Sequence, residues 1–309
     1  MQLAVDTREG APGTDNEDYV VAAPNLLIVL DGATVRTDTG CRHGVTWYVR
    51  KLGTALISTA DEASDLQTAL SNAIRNVATL HPECDLSHPG TPSAAAAIVR
   101  IEDEYVRYLV LGDIYVVVDA GDKSPLVVTD NRVDATATEA RDEADKWPIG
   151  SPEKREALIA MKHGELAARN VAGGYWISAA DPTVTTHAIT GTIARTNIRR
   201  IAMLSDGAAR LVTLFQRYTW SDVLDTLVRN GPADLLNHVR SLEDSDPMGE
   251  TYPRNKKSDD ASILVVSTEA NQPTPTPSTD AAEHENPVVV SMRAGRLFGA
   301  CPTVDGRIL

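Results

Sequence analysis

Four stretches rich in aliphatic and β-branched residues begin or end at an aspartate along this chain of 309 residues. They span residues 26–31, 106–113, 199–206 and 259–266. Apolar runs of this length, bounded by Asp-Gly or Asp-Asp, are typical of buried strands that leave their polar aspartate at the edge of a sheet. We therefore predict that several carboxylates gather at strand ends.

The remaining pattern predicts an alternation of strands and helices. Helical spacing is clearest in 63–80, where Leu66, Leu70, Ile74 and Val77 recur at steps of four, four and three and mark a core face. Short polar turns between residues 95 and 129 favour an antiparallel meander, and the polar stretch 131–147 is expected to be irregular or weakly helical. Predicted strands are 3–6, 18–22, 26–30, 95–101, 105–111, 115–119, 126–129, 174–178, 200–204 and 259–266; predicted helices are 44–59, 63–80, 221–228 and 232–241.

Carboxylates that converge in a cleft repel one another and lose hydration, so a cluster of them calls for divalent cations such as Mg²⁺ or Mn²⁺. Each Asp-Gly pair taken alone has a second interpretation. Asp-Gly suits a tight turn after any strand, and this alternative applies to Asp31-Gly32 and to Asp206-Gly207.

The order of short motifs favours the metal interpretation. Each lies beside an apolar run, and in chain order they are Asn16-Glu17-Asp18, Asp31-Gly32, Gly112-Asp113, Ser205-Asp206-Gly207 and Asp259-Asp260. This order resembles the metal-dependent serine/threonine protein phosphatases of the PPM type, also called type 2C, and the chain looks like a divergent, bacterial-like member. The resemblance covers roughly residues 1–267 and implies an α+β fold, a four-layer α-β-β-α sandwich with two antiparallel sheets flanked by helices.

The resemblance implies two metal ions, Mn²⁺ or Mg²⁺, and a weaker third ion. Asp31, together with the Gly32 carbonyl, resembles the ligand that bridges two ions, and Asp206 and Asp259 resemble the other ligands of the first ion. Two ions held this way share and activate a water, so Asp31 and Asp206 are the predicted catalytic pair.

Three further acidic residues match the family pattern. Glu17 and Asp18 would serve the second ion, directly or through water. Asp113 matches the acidic residue that helps bacterial members hold the third ion.

Two departures from the family pattern concern substrate binding. The phosphate-binding arginine of the family commonly lies three residues before the motif asparagine, where this chain has Gly13. Arg8, Arg36 and Arg42 are the candidate substitutes, each with the alternative of a solvated surface charge.

The second departure is the segment after Asp31-Gly32, which lacks the histidine that some members use as a general acid. His43 is the candidate acid, because an imidazole titrates near neutral pH. Its alternative is a packing role.

Composition limits the classes of partner. A formal charge of −14 argues against non-specific nucleic-acid binding, and the longest apolar stretch, residues 94–99, is too short to cross a bilayer. Cys41, Cys84 and Cys301 lack the paired spacing of zinc or redox sites and suggest a reducing compartment. With no signal-peptide pattern at residues 1–9, we expect a cytoplasmic monomer.

The C-terminal part has a different composition. Residues 272–278 alternate proline with threonine or serine, which is typical of an extended linker. We therefore predict a phosphatase-like domain over 1–267, a linker over 268–286 and a short flexible tail over 287–309.

Two functional hypotheses follow. The first is a metal-dependent phosphomonoester hydrolase that acts on phosphoserine or phosphothreonine in a phosphoprotein. Its partners would be that phosphoprotein and a serine/threonine kinase system. The second is a catalytically weakened regulatory relative that binds a phosphoprotein or a kinase, and the missing arginine is the feature that favours it. A phosphatase for a small metabolite is a remoter third.

Overall fold

The structure, a computed structural model, describes residues 2–121 and 124–267 together with the backbone of 289–291. Its strands are β1 Gln2–Arg8, β2 Tyr19–Ala22, β3 Leu26–Gly32, β4 Ala94–Ile101, β5 Tyr105–Leu111, β6 Tyr115–Asp119, β7 Leu126–Val128, β8 Ile189–Ala194, β9 Arg200–Leu204, β10 Ala261–Ser267 and β11 Val289–Ser291. They form two antiparallel sheets, one with the order β11-β1-β10-β9-β6-β7 and the other with the order β2-β3-β4-β5-β8.

Helices cover the outer faces of both sheets. The α-helices of the described residues are α1 Gly44–Glu62, α2 Leu66–Ala78, α3 Thr138–Asp145, α4 Pro152–Ala168, α5 Asp206–Thr213, α6 Trp220–Asn230 and α7 Pro232–Ser245. No helix in the described part of the chain is long and apolar enough to cross a membrane.

Alternation along β3 shows how the layers are built. Ile28 and Leu30 point into a core with α1 and α2, while Leu27 and Val29 point into the core between the two sheets. Successive strand residues face opposite sides, so a strand that is apolar throughout is buried on both. This explains the uninterrupted apolar run of β3.

The second helical layer packs on the other sheet. Leu224 of α6 and Leu236 of α7 share a core with Leu204 of β9 and Ile263 of β10. The predicted α-β-β-α sandwich with two antiparallel sheets is therefore confirmed. Helices α3 and α4 pack against each other separately.

The predicted meander is wrong in one respect. Strand β5 pairs with β4 and β8, whereas β6 pairs with β7 and β9, so the chain changes sheets between Leu111 and Tyr115. The predicted strand at 174–178 is also wrong, because that segment makes isolated bridges at Tyr175 and Ser178. Helix α4 and strand β8 were not predicted.

Most of the predicted linker and tail lies outside the described residues. The backbone of β11 pairs with β1 at the edge of the six-stranded sheet, opposite Gln2–Ala4. Residues 268–288 and 292–309 are not described, and the proposed division of the chain stays a prediction.

Candidate active site

Asp31 and Asp206 meet where the end of β3 in the five-stranded sheet approaches the start of α5, which follows β9 of the six-stranded sheet. Asp31 lies near the end of β3, and Asp206 is the first residue of α5, directly after β9. The backbone N–H of Asp206 donates to Asp31 Oδ2 at 3.2 Å. Both Asp-Gly pairs thus belong to a strand end and a helix start, and the tight-turn alternative is wrong for both.

Asp18 is buried beside them without a hydrogen-bond partner for either carboxylate oxygen. Ser262 and Ser205 lie close by, but Ser262 Oγ is 2.7 Å from Thr7 Oγ1, and Ser205 Oγ accepts from the Ser262 N–H at 2.9 Å. A buried carboxylate without partners is costly. Its oxygens suit a ligand that the protein atoms do not supply.

The electrostatics show that these carboxylates share one region. Burial raises the pKa of Asp31 well above its usual range, and Asp206, Asp18, Asp113 and Asp259 raise it further. Burial also raises the pKa of Asp18. Each charge opposes ionisation of its neighbours, so a cation would relieve the whole group.

Asp113 joins the group from the loop after β5. Burial and the charge of Asp206 raise its pKa to about 7. Gly112, just before it, has φ +92°, and a Cβ there would lie 2.7 Å from Ala95 Cβ, so the turn that presents Asp113 requires glycine.

Asp259 differs because two cations already neutralise it. Burial raises its pKa, but Lys256 and Arg210 outweigh burial and the net pKa is lowered. Arg210 Nη2 lies 2.9 Å from Asp259 Oδ2, and Lys256 Nζ pairs with Oδ1. Neither cation was predicted from the sequence. Their spacing was the one signal for them, because Arg210 lies one helical turn after Asp206 and Lys256 lies three residues before Asp259.

Asp260, which belongs to a predicted motif but was given no role there, holds the site's loops together. Its carboxylate accepts the backbone N–H of Gly10 at 2.7 Å and that of Glu17 at 2.9 Å. Glu17 is thereby brought beside Gly32, whose N–H donates to the Glu17 carbonyl at 3.1 Å. A Cβ at Gly32 would lie 2.4 Å from Val45 Cγ1, so this close approach requires glycine.

Burial raises the pKa of the Glu17 carboxyl, and Lys256 opposes the shift. Glu17, Lys256 and Asp260 line an open cleft of about 930 Å³ that also borders Arg240 and Lys257. The acidic group is therefore reachable from solvent on the Glu17 side.

The three candidate phosphate-binding arginines lie in different surroundings. Arg8 donates to Asp6 at 2.9 Å and to Asn237 at 2.6 Å, and Arg42 pairs with Glu83 at the surface. Arg36 is half-buried; burial lowers its pKa, and the charge of Asp259 raises it. The charge of Asp259 therefore acts on Arg36, while Arg8 borders the same cleft as Glu17 and Arg42 lies at the surface.

Lys162 of α4 approaches from the same side as Arg36. Burial lowers its pKa, Glu165 raises it, and Arg36 is among the charges that act on it. Lys162 Nζ lies 3.7 Å from Glu165 Oε2. Lys162 is therefore a cation near the site, and neither this residue nor helix α4 was predicted from the sequence.

His43 borders the same open cleft as Glu17 and also belongs to a second group of side chains. Its Nδ1 lies 3.6 Å from Cys41 Sγ and 3.5 Å from Cys84 Sγ, and His81 completes the group. The expectation that the cysteines belong to no metal-type cluster is wrong for Cys41 and Cys84, because tertiary folding brings together residues about 40 positions apart. Among the described residues, this set, and not the acidic one, is compact enough to surround a single ion.

The donor chemistry of the acidic group fits divalent cations. All its potential ligands are oxygens, and both carboxylate oxygens of Asp18 lack a hydrogen-bond partner. Burial, and then mutual repulsion, raises the pKa values of Asp31, Asp113 and Asp206. Mg²⁺ and Mn²⁺ favour such ligands.

The family model of protein phosphatase 2C matches residues 6–242, which include the motifs from Glu17 to Asp206. The chain belongs to the protein phosphatase 2C family. This family consists of protein serine/threonine phosphatases and uses divalent metals, so the recognition made from the motif order is confirmed. No curated protein is significantly similar to the chain in sequence.

Solved structures support the same fold. A bacterial serine phosphatase superposes with a TM-score of 0.51 at 14% identity, covering 88% of this chain and 99% of its own. The serine/threonine phosphatase Stp1 from Staphylococcus aureus gives 0.51 at 13% identity, covering 87% and 96%. At these identities the likeness concerns the fold.

Proposed function

We propose that this phosphatase 2C member hydrolyses phosphoserine and phosphothreonine in proteins, using two divalent cations bound by its acidic group. The observation that carries the proposal is the buried carboxylate set around Asp31, which includes the two unpartnered oxygens of Asp18. Such a set is unfavourable without cations and well suited to them.

In this proposal, Asp31 and the Gly32 carbonyl would hold the ions together with Asp206, Asp259, Glu17 and Asp18. When bound, the ions would lower the pKa of a water and neutralise charge on the phosphoryl oxygens.

The chain's other residues hold these ligands in place. The Asp206 N–H orients Asp31, and Arg210 with Lys256 keeps Asp259 ionised. Asp260 fastens the Glu17 backbone and so fixes the entrance of the cleft.

Asp113, which is near Asp206, is the proposed ligand of a third ion. Its raised pKa of about 7 implies that this position would bind a cation more weakly at acidic pH, because a proton competes for the carboxylate.

Metal-dependent hydrolysis by the full chain tests the proposal. With Mn²⁺ or Mg²⁺, we expect turnover of p-nitrophenyl phosphate and of a phosphothreonine peptide; with EDTA we expect none. Asp206→Ala is expected to lower kcat at least ~100-fold, because it removes a ligand and several kcal/mol of charge stabilisation. Asp61→Ala, an exposed change on α1, is the matched control and should leave turnover unchanged.

Equal turnover with EDTA, or by Asp206→Ala, would contradict the proposal. Metal binding without turnover on either substrate would favour the regulatory alternative, in which the fold binds a phosphoprotein or kinase without hydrolysis.

Arg36 is the proposed replacement for the phosphate-binding arginine that Gly13 displaces. Arg36→Ala is expected to lower kcat/KM by roughly 10–100-fold, since a charged hydrogen bond to phosphate contributes about 1.5–3 kcal/mol. Arg155→Ala changes an exposed arginine on α4 and should have no effect. Steady-state kinetics on the phosphothreonine peptide measures both, and an unchanged kcat/KM for Arg36→Ala would remove this residue from the site.

A further inference from the structure

We propose that Cys41, His43, His81 and Cys84 form a structural zinc site, separate from the acidic group, that fastens the loop after β3 to the loop after α2. One ligand atom from each residue lies within 4.8 Å of every other. The four residues come in two pairs, each made of one cysteine and one histidine, at the start of α1 and just beyond the end of α2.

The distances agree with a tetrahedron around one ion. Cys41 Sγ lies 3.4 Å from His81 Nδ1 and 3.6 Å from His43 Nδ1, and Cys84 Sγ lies 3.5 Å from His43 Nδ1. Tetrahedral zinc, with Zn–S of about 2.3 Å and Zn–N of about 2.0–2.1 Å, separates sulfur from nitrogen by about 3.5 Å. The side chains are therefore already arranged at ligand spacing.

The ligand type indicates zinc rather than the cations of the acidic group. Two thiolates and two imidazoles suit a softer ion than Mg²⁺ or Mn²⁺, and four protein ligands leave no open position for a water or substrate. Each cysteine would release its thiol proton to solvent on binding. The proposed role is therefore structural.

Neighbouring groups of the protein hold the four side chains in position. The Trp47 ring stacks on His43 at 4.2 Å between centroids and meets His81 edge-on at 4.6 Å. The backbone N–H of His43 donates to Cys41 Sγ at 3.4 Å, which favours a thiolate. His81 is buried.

The loops that the ion would join also meet directly. The Asp85 N–H donates to the Gly40 carbonyl at 3.0 Å, and Gly90 lies so close to Asp38 that a Cβ would fall 2.1 Å from the Asp38 carbonyl oxygen. The first loop carries Arg36, on which the charge of Asp259 in the acidic group acts. Zinc at this position would thus hold a substrate-side loop in place without touching the substrate.

Metal content and cobalt spectroscopy of the full chain test the site. We expect the purified protein to retain about one zinc ion per chain through dialysis. After replacement by Co²⁺, we expect the visible absorption of tetrahedral cobalt and near-ultraviolet thiolate-to-cobalt charge transfer. The charge-transfer band reports sulfur ligands and cannot arise from the carboxylates.

Three variants locate the zinc. Cys84→Ser should lower zinc affinity by ~100-fold or more, because removal of a ligand costs at least as much as loss of its supporting contacts, and should weaken the charge-transfer band, because only the Cys41 thiolate remains. Cys301→Ser is the matched cysteine control and should retain both. Asp206→Ala should also retain both, which separates this site from failure of the proposed phosphatase function.

The proposal is overturned if the wild-type chain takes up no zinc and shows no charge-transfer band with Co²⁺, a result that does not depend on any variant folding. Zinc retained by Cys84→Ser but lost by Asp206→Ala would also overturn it. So would a Cys41–Cys84 disulfide, detected as a mass two hydrogens lower, in protein purified without oxidant.

Discussion

Asp31→Asn is expected to abolish metal-dependent turnover and, at the same time, to stabilise the metal-free protein. Asp31 is a proposed metal ligand, so its loss should lower kcat by roughly 1000-fold, equivalent to several kcal/mol of charge stabilisation. The same carboxyl is destabilising without cations, because burial and then Asp206, Asp18, Asp113 and Asp259 raise its pKa. Asparagine has a similar shape without the charge and retains an oxygen for the Asp206 N–H.

The pH dependence of this gain follows from the sign of the shift. A group with a raised folded-state pKa stabilises the fold fully below its unfolded pKa, about 3.9 for aspartate, and this stability is lost as pH rises through the folded pKa. Asp31→Asn removes that loss. With EDTA at about pH 8, we expect a melting temperature higher by roughly 3–6 °C, corresponding to about 1–2 kcal/mol, and a smaller gain at about pH 5.

Thermal melts of wild type, Asp31→Asn and the exposed-site control Asp61→Asn would measure the effect. Adding Mn²⁺ should stabilise the wild type more than Asp31→Asn, because only the wild type keeps the Asp31 carboxylate. If Asp31→Asn melted lower than the wild type in EDTA at both pH values, the carboxylate repulsion inferred from the structure would be wrong.

Arg210→Met is expected to destabilise the protein by about 3–5 kcal/mol, because it removes one partner from a buried ion-pair network. Arg210 Nη1 lies 2.6 Å from Glu243 Oε1 while Nη2 contacts Asp259. Glu243 is fully buried and would keep Arg240, at 2.8 Å, as its neighbour. Methionine keeps much of the side-chain volume but removes the positive charge that pairs with the Glu243 and Asp259 carboxylates.

Denaturant unfolding should show the loss for Arg210→Met and less than about 0.5 kcal/mol for Arg217→Met, an exposed arginine just beyond the same helix. Arg210→Lys is expected to recover part of the stability, since it restores the charge but not the two-pronged contact. Equal stability of Arg210→Met and Arg217→Met would show that the network contributes little.

The central strands could be predicted closely because burial on two faces leaves a continuous apolar run. Tyr105–Leu111, Tyr115–Asp119 and Arg200–Leu204 have the predicted bounds. Strand β8 was missed because its residues are half-buried or exposed at a sheet edge, so they carry no apolar pattern. For α4, the chain did offer a start signal, since Ser151 caps it by accepting the Lys154 N–H at 3.1 Å and Pro152 follows.

The residues of the candidate site also include some that could be predicted from the sequence and some that were not. Its carboxylates could be predicted because each follows or precedes a strand and because their order matches a family that the chain belongs to. Its cations were not predicted, because the spacing of Lys256 and Arg210 does not distinguish them from other charged residues until folding sets them beside Asp259. The arginine candidates differ in their partners, because Arg8 pairs with Asp6 and Arg42 with Glu83, while the charge of Asp259 acts on Arg36.

The sequence by itself determined the layered fold, the family and the acidic motifs, because strand periodicity and motif order are local properties of the chain. Only the tertiary structure decided which charges neutralise one another and that Cys41 and His43 meet His81 and Cys84. Those contacts join residues 49 positions apart for Arg210 and Asp259, 40 for Cys41 and His81, and 3 for Lys256 and Asp259. Their geometry depends on how α1 and α2 pack and how the two sheets align, which are properties of the folded chain.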